Sequence, residues 1–142
     1  MLTVPQTASA EALSDGGPLN GRLPGFVARA TQQDMAARIE QAIEERAVFI
    51  AESGTGTGKT LAYLVPAILS GKKILISTGT KALQDQLFQR DLPTIRAALG
   101  VPVTTALLKG RVNYLCLHRL ERAEIETRFG NSVRSDNLRK IR

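Results

Sequence analysis

Apolar residues follow two different spacings along this chain. Met35, Ile39 and Ile43 lie four residues apart, which predicts a helix of about four turns with one apolar face, capped by Thr31. Three shorter segments are apolar almost throughout, a pattern typical of strands buried on both faces of a parallel sheet. These segments are residues 47–51, 72–77 and 101–108.

Helical patterns follow each of these predicted strands. The segment LAYLVPAIL contains Pro66, at which we expect a kink, and a later helical segment stops at Gly100, a good left-handed terminator. The predicted helices after the first are residues 61–69, 81–90, 92–99 and 114–129. Because strands alternate with helices, the predicted fold class is α/β, a parallel sheet with flanking helices.

The two ends of the chain lack this periodicity. Residues 1–24 are mostly small or polar and are interrupted by Gly and Pro, so we predict a flexible N-terminal arm. The net charge is +6, and residues 111–142 carry eight Lys/Arg against four acidic residues. This bias permits contact with nucleic acid, although a solvated helix face and a loose tail are the simpler interpretation.

Composition narrows the class of protein. No apolar run approaches the roughly 18 residues that span a bilayer, so we expect no membrane segment. Cys116 is the only cysteine among 142 residues, so no internal disulfide can form. A reducing cytoplasm is the natural compartment for such a chain.

A glycine-rich loop between the first predicted strand and the next helix carries the strongest chemical signal. Strand, loop and helix in this order are the context of a P-loop, whose glycines let backbone amides point at phosphate oxygens. Lys59 would contact the β- and γ-phosphates, and the Thr60 hydroxyl would bind Mg²⁺. The predicted ATP-binding loop comprises Ser53, Gly54, Thr55, Gly56, Thr57, Gly58, Lys59 and Thr60.

Ser53 departs from the strict P-loop pattern. It occupies the position of the first glycine in G-x-x-x-x-G-K-[ST], and serine tolerates positive φ poorly. Either this position does not need positive φ, or the loop is imperfect. A flexible glycine-rich linker is the alternative interpretation, but the flanking strand and helix patterns disfavour it.

Four segments together resemble one family. They are 29–35 (RATQQDM), 52–60 (ESGTGTGKT), 76–87 (ISTGTKALQDQL) and 108–116 (LKGRVNYLC). They resemble the start of the bacterial DinG/YoaA-type DNA helicases, relatives of XPD in helicase superfamily 2. The similarity runs from about Pro24 to about Glu121. It implies a RecA-like P-loop NTPase fold whose first motor domain begins in residues 25–112.

The resemblance implies how the nucleotide base is read. Gln32, with Arg29 nearby, looks like the adenine-reading glutamine of the family's Q motif. A glutamine amide offers a donor and an acceptor together, which fits an adenine edge. Gln33 is the competing candidate, and an exposed helix residue is the alternative interpretation of Gln32.

A second implied site contacts DNA. The segment after the second predicted strand resembles motif Ia, which in the family binds the DNA backbone. Hydroxyls, amides and one lysine at a helix start suit a phosphate oxygen. An ordinary helix cap at Thr78 or Thr80 is the alternative, and both can hold. The implied DNA-binding residues are Ser77, Thr78, Thr80 and Lys81.

Cys116 matches the first ligand of the family's [4Fe–4S] cluster. Residues 113–142 would then be the start of the iron–sulfur region and a basic tail. Such a cluster needs four cysteine thiolates, and this chain has one. We therefore expect no cluster here, although a full-length relative would hold one, and we expect Cys116 to be a small buried hydrophobe.

The resemblance implies the N-terminal ATP-binding portion of an ATP-dependent 5′-to-3′ DNA helicase in the bacterial cytoplasm, with ATP, Mg²⁺ and single-stranded or forked DNA as partners. No apolar strand after Leu108 ends in the acidic pair that hydrolysis requires, and a second motor domain is absent from the sequence. We therefore expect an incomplete sheet and neither hydrolysis nor unwinding by this chain alone. A non-enzymatic nucleotide- or DNA-binding module is the alternative.

Overall fold

Regular structure in this computed structural model, which describes residues 5–127, is helical. The chain divides between Ala106 and Leu107 into two units. The first unit contains α1 (Ala8–Ala12), α2 (Ala30–Glu45), α3 (Lys59–Leu69), α4 (Lys81–Gln86), a π-helical turn (Leu87–Asp91) and α5 (Leu92–Leu99). The second unit contains a 3₁₀ turn (Arg111–Asn113) and α6 (Leu117–Thr127).

Helix α3 lies at the centre of the first unit. Its sequence is apolar on nearly every side, and it packs against α1, α2 and α5. Small residues allow the close approach of α2, because Ala36 of α2 and Ala62 of α3 have no exposed surface. The most buried residues of α2 are Gln32, Ala36 and Ala37, so the buried face is shifted from the predicted Met35–Ile39–Ile43 stripe.

The helix boundaries largely follow the sequence signals. Gly100 ends α5 with φ of 70°, as predicted, and Thr80 caps α4, one of the two positions considered for a cap there. Helix α2 begins at Ala30, so Thr31 lies inside it and the predicted cap there is wrong. Within the described residues no helix is long and apolar enough to cross a membrane.

The predicted parallel sheet is not formed in the described residues. All three segments predicted as strands are non-helical, but none pairs with a neighbouring strand. Their apolar side chains are therefore partly in solvent: Val48 is 90% exposed and Leu75 is 92% exposed. A strand needs a hydrogen-bonding neighbour as well as an apolar sequence, and the pattern of one segment cannot supply that neighbour.

Much of the predicted flexible arm is packed instead. Within residues 5–24, α1 is a short helix capped by Thr7, and Leu13 and Leu19 are fully buried in the core with α3 residues. These two leucines hold the segment against the core. Because they belong to no periodic pattern, hydrophobic spacing does not reveal them. Gly17 fits this packing because a Cβ there would lie 2.3 Å from the Glu11 carbonyl oxygen.

Candidate nucleotide-binding site

Two glycines give the loop before α3 its shape. Gly56 has φ of 73° and Gly58 has φ of 83°, in the left-handed region that other residues rarely adopt. Ser53 has no positive φ, so the motif's first glycine is not needed at this position. Helix α3 then begins at Lys59, two residues before the predicted segment 61–69, so the free amides of its first turn lie at the end of the loop.

Side chains close the loop on itself. The Lys59 ammonium donates to the Ser53 carbonyl oxygen at 2.8 Å and to the Gly54 carbonyl oxygen. The Thr57 hydroxyl donates to the Gly54 carbonyl oxygen at 2.9 Å and lies 2.6 Å from the Ser53 hydroxyl. Since Thr57 has used its one hydrogen, Ser53 is the donor of that second bond. The Lys59 ammonium group is therefore held against the carbonyl oxygens of the loop.

The start of α2 contacts the loop from the other side. Gln32 is 4% exposed, and its Nε2 donates to the Gly58 carbonyl oxygen at 2.8 Å. Arg29 donates through Nη1 to the Gly56 carbonyl oxygen. Gln33 points elsewhere and donates to the Leu13 carbonyl oxygen. Of the two candidate glutamines, Gln32 is the one that lies at the loop.

Gln32 also holds an unused acceptor. Its Oε1 is buried and has no hydrogen-bond partner among the described residues. Buried polar atoms without partners are costly, by about 1–3 kcal/mol each. A ligand that donates a hydrogen bond at this point would remove that cost.

Tyr63 joins the site, although sequence reasoning did not select it. Burial raises the pKa of its phenol, a hydrogen bond with Thr60 acts against that rise, and the Asp91 carboxylate adds to it. The phenol therefore stays neutral at neutral pH, beside the proposed Mg²⁺ ligand Thr60. The i, i+3 spacing of Thr60 and Tyr63 on one helix was the available signal.

The motif Ia segment adopts the geometry of a helix cap. Thr80 Oγ1 accepts from the Leu83 amide at 3.2 Å, and Thr78 Oγ1 donates to the Thr80 carbonyl oxygen at 3.2 Å. Ser77 and Lys81 are exposed on either side of this cap. The capping interpretation is therefore confirmed, and an exposed lysine remains beside it.

Cys116 lies in the second unit. It is exposed immediately before α6, so the expectation of a buried hydrophobe is wrong. The described residues contain no group of three or more His, Cys, Asp or Glu side chains that could hold a metal ion. One cysteine does not meet the donor requirement of a [4Fe–4S] cluster.

Comparison with known proteins decides the family. A family model described as DEAD/DEAH box helicase matches residues 30–129, more than half of the chain. The chain belongs to the DEAD/DEAH box helicase family. No solved structure matches it significantly.

Relatives of this DEAD/DEAH box chain carry the names that the sequence motifs suggested. It is 48% identical over 133 residues to "ATP-dependent DNA helicase YoaA" of Haemophilus influenzae, covering 94% of this chain and 21% of the relative. It is 57% identical over 105 residues to the protein of that name in Escherichia coli, covering 74% and 16%.

A third relative extends the likeness to the second name. The chain is 46% identical over 104 residues to "ATP-dependent helicase DinG" of Mycobacterium tuberculosis, covering 68% of this chain and 16% of the relative. The resemblance to DinG/YoaA-type helicases is confirmed. Membership in the DEAD/DEAH box family also implies a P-loop NTPase fold. The chain spans about a fifth or less of the length of these relatives.

Proposed function

We propose that this chain forms the ATP-binding N-terminal part of the first motor domain of an ATP-dependent DNA helicase of the DinG/YoaA type. The observation that carries the proposal is the loop at residues 53–60, shaped by Gly56 and Gly58 and placed at the start of α3. Such loops bind phosphate because their amides and the helix dipole favour an anion.

Lys59 and Thr60 would act on the phosphates. Lys59 would exchange its contacts with the Ser53 and Gly54 carbonyl oxygens for the β- and γ-phosphate oxygens. Thr60 fits a Mg²⁺ ion because its hydroxyl is a hard oxygen donor in the first turn of α3. When bound, Mg²⁺ would neutralise phosphate charge.

Gln32 would read the base through its free acceptor. One amide hydrogen is committed to the Gly58 carbonyl oxygen, and Oε1 has no protein partner in the described residues. The exocyclic amino group of adenine is a donor that would suit Oε1, and guanine presents an acceptor at the equivalent position. This supports a preference for ATP over GTP.

The remaining parts of the proposal concern the sheet and DNA. Segments 47–51, 72–77 and 101–108 would be strands of a parallel sheet in the helicase. Ser77, Thr78, Thr80 and Lys81 would contact the DNA backbone. The exposed side chain of Lys81 at the start of α4 supports this, because a lysine there can reach a phosphate oxygen. The bacterial cytoplasm would be the compartment.

Catalysis needs further groups. Hydrolysis by a P-loop NTPase requires an acidic side chain that holds Mg²⁺ and orients water, and no such strand end follows Leu108 in this sequence. The role proposed for residues 53–60 is therefore to bind ATP.

Substitution of Lys59 tests the proposal. Lys59→Ala should weaken the binding of ATP with Mg²⁺ by about tenfold or more, because a charge-assisted contact to phosphate is lost. Lys73→Ala is the matched control, because Lys73 is exposed and its substitution removes the same charge at a position outside the loop. Isothermal titration calorimetry measures both dissociation constants. Equal affinities of the two variants would reject the proposed site.

A further inference from the structure

Two side chains at the start of α2 bind alternate carbonyl groups of the loop. Arg29 donates to the Gly56 carbonyl oxygen, and Gln32 donates to the Gly58 carbonyl oxygen at 2.8 Å. Arg29 is the N-cap of α2 and Gln32 lies three residues later, so both side chains project from the same side of one helix end. The start of α2 therefore contacts two peptide units of the loop, and the Gly58 carbonyl oxygen also accepts from the Ala62 amide of α3 at 3.2 Å.

The directions of the Gly56 and Gly58 carbonyl groups determine the directions of the amide N–H groups that follow them. No peptide bond among the described residues is cis, so the C=O and N–H of each unit point in opposite directions. With the Gly56 and Gly58 oxygens directed toward α2, the N–H groups of Thr57 and Lys59 point away from α2. Neither N–H donates to an acceptor in the described part of the chain.

We infer that Arg29 is a positioning residue of the phosphate loop, and that it acts through the Gly56 carbonyl group rather than by contacting the base. Together with Gln32 it aims the Thr57 and Lys59 amides at the phosphates. This inference rests on the proposed nucleotide site. It assigns the base contact to Gln32 alone, through Oε1, and assigns to Arg29 a role that does not depend on the base.

Sequence proximity alone would have assigned Arg29 to adenine. The structure separates the two roles because Gln32 keeps a buried acceptor without a partner, whereas Arg29 is exposed and bonded to the loop. A residue that orients the phosphate loop affects every ligand carrying the same phosphates. A residue that reads adenine affects only adenine nucleotides.

Three probes distinguish these roles: ATP, GTP and inorganic tripolyphosphate, each with Mg²⁺. Arg29→Gln should weaken all three by the same factor, about 3- to 10-fold, the effect of losing one exposed charge-assisted hydrogen bond. Arg46→Gln is the matched control, because it removes the same charge from the other end of α2. Calorimetry of the full chain gives the dissociation constants.

A second measurement reports on the loop without any ligand. The NMR order parameters of the Gly56, Thr57 and Lys59 amides should fall in Arg29→Gln and remain unchanged in Arg46→Gln. Simple loss of a distant charge would not change these order parameters. The measurement therefore separates positioning from long-range attraction.

Each outcome decides the inference. A loss confined to ATP would overturn it, because it would show that Arg29 reads the base. Unchanged affinities or unchanged order parameters would also overturn it. If the unsubstituted chain bound none of the three probes, the proposed function would fail, and the order parameters alone would decide whether Arg29 positions the loop.

Discussion

Gly58 shows how one residue can be constrained twice. Its φ of 83° favours glycine, and a Cβ at this position would lie 2.1 Å from Nε2 of Gln32. Gln32 is 4% exposed and already bonded to the Gly58 carbonyl oxygen, so it has little room to move aside. The closeness of these two residues links the start of α2 to the phosphate loop.

Gly58→Ala should therefore be more damaging than an ordinary glycine substitution. The left-handed backbone costs alanine about 1 kcal/mol, and displacing Gln32 from its hydrogen bond adds about another 1–2 kcal/mol. The free energy of unfolding from urea titration measures the total. Gly71→Ala is the control, because Gly71 also has positive φ of 62° but has open space around its Cβ position. Equal losses in the two variants would show that Gln32 does not pack as described.

For single residues, the sequence identified the residue types of the site better than it identified their contacts. The lysine, threonine and glycines of the loop are recognisable because the chemistry of phosphate binding restricts residue types at fixed spacing. The contact of Arg29 with Gly56 joins residues 27 positions apart. Neither the loop pattern nor composition contains that information.

Helix α1 illustrates how a short element is held in place. The Glu40 carboxylate of α2 accepts from the Ser9 amide at 2.7 Å, at the start of α1. Partial burial raises the pKa of Glu40, but hydrogen bonds from Ser9, Thr7 and Ala8 outweigh burial and hold it below its ordinary value of 4.5. An anion near a helix N-terminus is also favoured by the helix dipole.

The anchoring of α1 should consequently depend on pH. Because the folded-state pKa of Glu40 is lowered, its contribution is present above pH 4.5 and is lost as pH falls through the folded-state pKa. Glu40→Gln should reduce the free energy of unfolding by about 0.5–1 kcal/mol at pH 7, and the difference should shrink at pH 3. Urea titrations at the two pH values measure this.

Glu44→Gln provides the control for Glu40. Glu44 is exposed one turn later on α2, so its substitution changes the charge equally without touching α1. A loss of the same size in both variants, or one independent of pH, would contradict the anchoring role of Glu40.

Helices were easier to predict than strands for a physical reason. The hydrogen bonds of a helix lie within one segment, so periodicity and caps such as Thr80 identify it locally. A strand depends on a partner elsewhere in the chain. Segments 47–51 and 72–77 have the composition of buried strands, yet Val48 and Leu75 are almost fully exposed in the first unit.

The region that matches the helicase family contains most of the proposed nucleotide site, but residues before that region also support it. The match to the DEAD/DEAH box family covers residues 30–129, which include the loop and Gln32, while Arg29 lies immediately before that range. The first 24 residues also contribute to the core through Leu13 and Leu19, which the predicted flexible arm did not anticipate. The nucleotide site is therefore supported by packing from outside the matched range.

A cavity elsewhere in the first unit provides a comparison for the proposed nucleotide site. It has a volume of about 190 Å³ and is lined by residues of α1, α2 and α3 together with Ser70 and Lys72. Glu40 and Glu44 lie on its wall, so it is less suited to the phosphates of a nucleotide than the loop is. We therefore expect ATP to bind at the loop at residues 53–60 and not in this cavity.

The most direct test is to map ATP binding with Mg²⁺ by amide chemical shifts in the ¹⁵N-labelled chain. The largest changes should fall on residues 53–60, with a smaller change at Gln32, and the cavity residues Glu40 and Ser70 should be unaffected. Changes centred on that cavity, or no change anywhere at millimolar ATP, would contradict the claim that this loop is a nucleotide site.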